Sequence, residues 1–174
     1  MGPIRRVVTT NKPDTGEAIV MIDAVSPYVM ERKEAGIVST GIWATTSAPA
    51  DAAGSKDRAQ DIKGIPPVPS GTVCRVVDFM PGVDDSKLDA NHMMQGLGKD
   101  ASTKGWKPRH PAMHRTKSVD YAIVLEGEID MLLDTTEVHL KAGDILVQNA
   151  TNHAWVNRGA KPCRICFVLV DAKD

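Results

Sequence analysis

The sequence predicts an all-β fold, an antiparallel β-barrel of the jelly-roll kind with an N-terminal strand extension and long loops. Two observations carry this expectation. Apolar and β-branched runs recur at short spacing and are cut off by Gly, Pro, Asn or Asp, which is the pattern of many short strands rather than of helices. In the last third of the chain these runs crowd so closely that an open sheet would leave exposed edges, which closure into a barrel removes.

Taken in order, residues 7–10 and 18–23 flank Asn11-Lys12-Pro13-Asp14-Thr15-Gly16, whose Pro and Gly preset turn dihedrals, so the two runs read as a hairpin. Strands are expected at residues 37–45 and 72–79. Between them, residues 46–70 are rich in Ala, Asp, Gly and Pro without apolar periodicity and read as a surface loop. Residues 80–108 form a second irregular stretch, with a short helix expected at 86–97 and the length of a lid or binding loop. Beyond it, strands are expected at 121–125, 128–133, 137–140, 144–148, 154–157 and 163–170. They are separated by turns at Glu126-Gly127, 134–136, Ala142-Gly143 and 158–162.

A length of 174 residues suits one domain, 1–174, with residues 1–108 supplying N-terminal strands and loops and 109–171 the core. With 21 basic against 22 acidic residues there is no charge excess to hold a phosphate backbone, so nucleic acid is not expected as a partner. The apolar runs fall far short of the roughly 18–20 residues of a membrane span. Basic residues at the N-terminus precede no apolar stretch, so a secretory leader is not expected and the chain is assigned to the cytoplasm. Cys74, Cys163 and Cys166 are too few for a disulfide framework. On a strand, Cys163 and Cys166 point to opposite faces and read as buried thiols.

Several side chains stand out for their chemistry. Asp120 lies among apolar neighbours, where desolvation raises a carboxyl pKa and suits it to general acid or base work; the alternative is a carboxylate hydrogen-bonded to Thr116 or Tyr121. Tyr121 alternates in face with Asp120 and shares a pocket with it only through a bulge. Trp155 has the strand parity of His153 and Asn157, so it either walls a pocket and stacks on a planar substrate or packs the core. Met113, Met131 and the His92-Met93-Met94 group offer adaptable apolar surface or simple filler. Glu126, Glu128, Asp130 and Asp134 read as a solvated strand face, since no glycine-centred coordinating loop accompanies them.

The segment from His114 to Glu128 resembles the first motif of the cupin family: a His-x-His pair, a spacer, an acid, six residues and Gly. His114, Asp120 and Gly127 fit it, and Thr116 stands in place of the second His. The segment from Gly143 to Asn157 resembles the second motif, with His153 and Asn157 in register and Gln148 and Ala150 replacing the usual Pro and Gly. The resemblance spans residues 110–171 and implies a small single-domain cupin with a degenerate metal motif. It also implies pairing as a homodimer through added N-terminal strands. The family's metal ligands would fall on His114, Asp120 and His153. Two imidazoles and one carboxylate form a workable facial set for a divalent Fe, Zn, Mn or Ni with positions left open for substrate. The alternative is a pair of pocket-lining histidines with no metal, and His110 is a further candidate ligand or a plain loop residue.

The expected function is therefore that of a small-molecule enzyme of lyase, decarboxylase or isomerase type. It would act on a carbonyl- or carboxylate-bearing metabolite in the barrel, with His114, Asp120 and His153 as catalytic groups. Thr116, Tyr121, Trp155, Asn157 and Arg115 would contact the substrate, with Arg115 or Lys117 at the mouth receiving a carboxylate. An Fe(II)-dependent dioxygenase and a non-catalytic metabolite-binding protein are the alternatives.

Overall fold

In a computed structural model, which describes residues 1–53, 55–89 and 108–173, antiparallel strands account for most of the regular structure. In chain order they are β1 (Arg5–Asn11), β2 (Ala18–Val25), β3 (Val29–Arg32), β4 (Ile37–Thr45), β5 (Thr72–Phe79), β6 (Ser118–Glu126), β7 (Glu128–Leu132), β8 (Glu137–Lys141), β9 (Ile145–Asn149), β10 (Ala154–Val156) and β11 (Cys163–Asp171). A six-stranded sheet runs β3-β4-β5-β11-β6-β9, a three-stranded sheet runs β10-β7-β8, and β1-β2 form a separate ribbon. The two larger sheets face one another in jelly-roll fashion. No helix of the described residues is long and apolar enough to cross a membrane.

Alternation explains why these segments close over one core. On β5 the side chains of Val73, Arg75, Val77 and Phe79 share one face; on β11 Cys163, Ile165, Phe167 and Leu169 do, and on β6 Ser118, Asp120, Ala122 and Val124. Register brings these faces side by side, since Phe167 pairs with both Arg75 and Ala122 while Leu169 pairs with Val73 and Asp120. Ile129 of β7 and Leu140 of β8 pack against that face from the opposite sheet. Ile129, Ile165, Val124 and Cys163 are fully buried, and each large aliphatic among them stabilises the fold by roughly 1.5–3 kcal/mol.

The ribbon is fastened by charge. Arg6, 6% exposed, chelates the Asp57 carboxylate with both guanidinium nitrogens and stacks over the Tyr28 ring, whose hydroxyl also donates to Asp57. Gly127 turns β6 into β7 at φ +79°, where a Cβ would lie 2.6 Å from the Pro162 carbonyl oxygen. That position requires glycine.

Strands expected at 37–45 and 72–79 match β4 and β5 residue for residue. Strand β3 was not expected: it is four residues long, ends Glu31-Arg32 and lies at the sheet edge, so it has no apolar alternation. The helix expected at 86–97 is reduced in its described part to one 3₁₀ turn, Asp85–Lys87. Asp84 caps that turn, and Leu88 is already extended. The rest of that span, and His92-Met93-Met94 with it, lie outside the described residues.

Candidate functional site

A cavity of about 120 Å³ opens inside the barrel, walled by Ile37, Val77, Phe79, Trp155, Phe167 and Leu169 and carrying Arg32, Arg75, His114, Thr116, Asp120 and His153 as its polar lining. Trp155 is wedged among Phe79 (6.4 Å between centroids), Phe167 (5.4 Å) and His153 (6.1 Å), mostly edge to face. Its parity-based placement on the pocket wall is what the structure has, and it packs the core as well.

Asp120 projects from β6 into this cavity. Its Oδ2 accepts from Gln148 Nε2 at 3.1 Å and from the Thr116 hydroxyl at 3.5 Å, while Oδ1 is buried without a hydrogen-bond partner. Burial pushes the carboxyl up to about 6, against the opposing pull of the Ser118 and Thr116 hydroxyls and the Arg75 charge. Thr116 and Gln148 thus serve Asp120, and the sequence departures from the family motifs at these positions become its hydrogen-bond donors.

His114 and His153 are joined by a reciprocal pair of backbone hydrogen bonds, N–H to carbonyl at 2.9 Å each way, so that their ring centroids lie 4.3 Å apart with the planes tilted by 51°. His114 Nδ1 lies 2.9 Å from the Ala112 carbonyl and His153 Nδ1 3.0 Å from that of Thr151. A carbonyl only accepts, so each Nδ1 carries the hydrogen and each Nε2 holds a lone pair. Desolvation lowers the pKa of both rings, and the His114 charge adds to the shift at His153. Both are neutral near pH 7.

The ligand set expected on His114, Asp120 and His153 is not assembled. Among the described residues no group of three or more His, Cys, Asp or Glu side chains stands together to hold a metal ion. The reason is local: Thr116 occupies the position of the second motif histidine and engages Asp120, and Gln148 holds the same carboxylate oxygen. His110 is no substitute, for its Nε2 lies 3.1 Å from Asp85 and its Nδ1 accepts from the Ala112 amide.

Three expected substrate contacts lie elsewhere. Tyr121 is 44% exposed on the outer face of β6, as strand alternation dictates without a bulge. Asn157 is a structural clamp, donating to the Phe79 and Lys161 carbonyls and accepting from the Gly159 amide. Arg115 is not part of the cavity lining. The cations that are there, Arg32 and Arg75, were missed. For Arg75 the reason is not lack of pattern. Its signal was available, since it is the one charged residue in inward register with Val73, Val77 and Phe79 on an otherwise apolar strand face.

Comparison with known proteins places this arrangement among relatives. Residues 104–170 match the family model described as a cupin domain. Phomopsin biosynthesis cluster proteins C' and D of Diaporthe leptostromiformis are each 36% identical over 138 residues, 75% of this chain and 59% of theirs. The chain therefore spans 59% of the length of those two relatives. A cupin-domain-containing oxidoreductase of Aspergillus ruber is 29% identical over 171 residues, 95% of this chain and 71% of its own. Among solved structures, the Schizosaccharomyces pombe Cnp3 cupin domain aligns over 96% of this chain and 87% of its own, at 10% identity and a TM-score of 0.49.

Proposed function

From the premise that the chain belongs to the cupin superfamily, we propose that it is a small-molecule enzyme whose chemistry is proton transfer by Asp120 inside the barrel. One observation carries the reading. A buried carboxyl titrating at about 6 lines the cavity, and its Oδ1 has no hydrogen-bond partner. A purely structural carboxylate in such a place would have both oxygens satisfied.

The chemistry follows from the groups present. As a carboxylate, Asp120 takes the proton from the carbon next to a substrate carbonyl, and the C–H electron pair moves into the carbonyl to leave an enolate. Arg75 supplies positive charge for the enolate oxygen. Return of the proton to another carbon isomerises the substrate; departure of a β-substituent makes a lyase. If carbon dioxide leaves first, the protonated Asp120 delivers its proton to the resulting carbanion. The His114 and His153 Nε2 lone pairs accept from a substrate hydroxyl and orient it.

The test is deuterium wash-in. The protein is incubated in D₂O with a panel of 2-oxo and 3-oxo acids, and proton NMR follows loss of the α-proton signal and conversion. Wild type should exchange at least one panel member, and Asp120→Asn should slow that exchange by roughly a hundredfold or more. Exchange that survives in Asp120→Asn sinks the assignment of the base.

Relatives named oxidoreductases favour redox chemistry as a second reading, and the Fe(II)-dependent dioxygenase expected as an alternative from the sequence is one form of it. It requires ligands that the described residues do not gather. Iron-dependent oxygen uptake with a panel substrate, in the absence of deuterium wash-in, would replace the first reading by this one.

A further inference from the structure

We infer that Arg75 is the anion anchor of the cavity and that the molecule bound there is a small carboxylate with a planar apolar body. This deepens the proposed function and rests on the same cavity.

Arg75 is 5% exposed, and its Nη2 is committed to the Gly64 and Ile65 carbonyls at the end of the 46–70 loop. Those two bonds fix the plane of the guanidinium. Its Nε is buried with no hydrogen-bond partner, and the side chain lines the cavity. A buried guanidinium with an unanswered donor is costly, and a carboxylate matches its planar fork better than a neutral carbonyl does.

Among the described residues no carboxylate forms an ion pair with that charge. Asp120 stands on the far side of β11 from Arg75, two residues out of line with it, and acts on it only at longer range. Arg32 adds a second cation to the lining, while both histidines are neutral. Asp120 is the one carboxyl among the described lining residues and makes no ion pair with Arg75, so an anion is the complementary partner for the guanidinium.

Size and wall give the rest of the ligand. A cavity of about 120 Å³ is close to the ~150 Å³ known to hold one benzene ring, and Phe79, Trp155 and Phe167 present aromatic surface to it. The expected ligand places its carboxylate on Arg75, its ring or conjugated chain against Trp155, and any hydroxyl at the histidine pair.

Benzoate and its neutral isostere benzamide are the probes. Titrated at pH 7 by calorimetry, benzoate should bind wild type at least tenfold more tightly than benzamide. It should also shift the ring-proton NMR signals of His114 and His153, which locates it. Arg75→Met should lose that preference while Arg115→Met keeps it. Because Arg75→Met removes two hydrogen bonds and risks unfolding, Arg75→Lys is the second variant, expected to keep the charge preference but weaken benzoate severalfold. Equal affinity for the two probes in wild type, an unchanged preference in a folded Arg75→Met, or undiminished benzoate affinity in Arg75→Lys overturns the anchor and leaves proton transfer at Asp120 standing. Binding of neither probe overturns the ligand class, and the deuterium experiment then decides on Asp120 separately.

Discussion

Asp120 destabilises the fold that contains it. Its carboxyl titrates at about 6 in the folded chain against 3.8 in the unfolded one, because burial penalises the charged form. The unfolded chain therefore gives up its proton first as pH rises. The penalty from Asp120 is absent well below 3.8, grows as pH climbs towards 6 and stays constant above it, at about 3 kcal/mol at most. Asparagine carries no charge, and its side-chain oxygen still accepts from Thr116 and Gln148. Calorimetry should thus find Asp120→Asn melting several degrees higher than wild type at pH 8, with the gap closing at pH 4; a wild type that melts higher at pH 8 would mean the carboxylate is compensated. At this scale much of the site was legible. Strand parity and motif spacing identified Asp120, His114, His153, Thr116 and Trp155 as cavity residues. They did not identify Arg75, which lies 39 residues before His114, the start of the first motif, on a strand read only for its apolar pattern.

Elements add what single residues cannot. The bridge between His114 and His153 holds two neutral imidazoles in contact, and both resist protonation in the fold. The unfolded chain takes up those protons near pH 6.5, so the pair's contribution is complete above 6.5 and is lost as pH falls below it, opposite in sign to that of Asp120. His153→Gln, which cannot ionise, should show a flatter fall in urea midpoint between pH 7 and 5 than wild type; identical slopes would remove the pair as the acid-sensitive element. Gly127→Ala should cost more than about 1 kcal/mol in urea, since its left-handed backbone is strained and its Cβ meets backbone at 2.6 Å. Gly143→Ala, at φ +96° but facing open space, should cost less. The turn at Glu126-Gly127 was legible because glycine interrupts an alternating run. The edge strand β3 was not, because its pairing is decided by β4 and not by its own residues.

At the scale of the whole molecule the two sheets have different backs. Behind β7 and β8 the outer surface is charged and internally paired: Asp130 accepts from His139 at 2.8 Å and from Arg158 at 3.1 Å, and Arg158 also meets Glu137 at 3.0 Å. Of the residues read as a solvated acidic face, Glu126, Glu128 and Asp134 are exposed, whereas Asp130 is largely covered by its pairs with His139 and Arg158. Behind β6 and β9 the same alternation, by turning Asp120, Ala122 and Gln148 inward, turns apolar residues out. Tyr121, Leu125, Ile145 and Val147 are 44%, 50%, 66% and 53% exposed. Register makes them one stripe, since Tyr121 pairs with Val147 and Ile123 with Ile145, and among the described residues β9 ends the sheet with an unpaired edge. A contiguous apolar stripe beside an open edge is what a soluble monomer avoids. Closing it against a second copy of the chain buries both stripes at once by two-fold symmetry. Homodimerisation, expected from the sequence through the N-terminal strands, is thus predicted here through β6 and β9. Sedimentation equilibrium at micromolar concentration should give a dimer for wild type and a monomer for Val147→Lys, while Val20→Lys on the exposed ribbon should leave the dimer intact. The reverse pattern would return the interface to β1 and β2, and a monomeric wild type would mean the stripe is covered by something other than the chain itself.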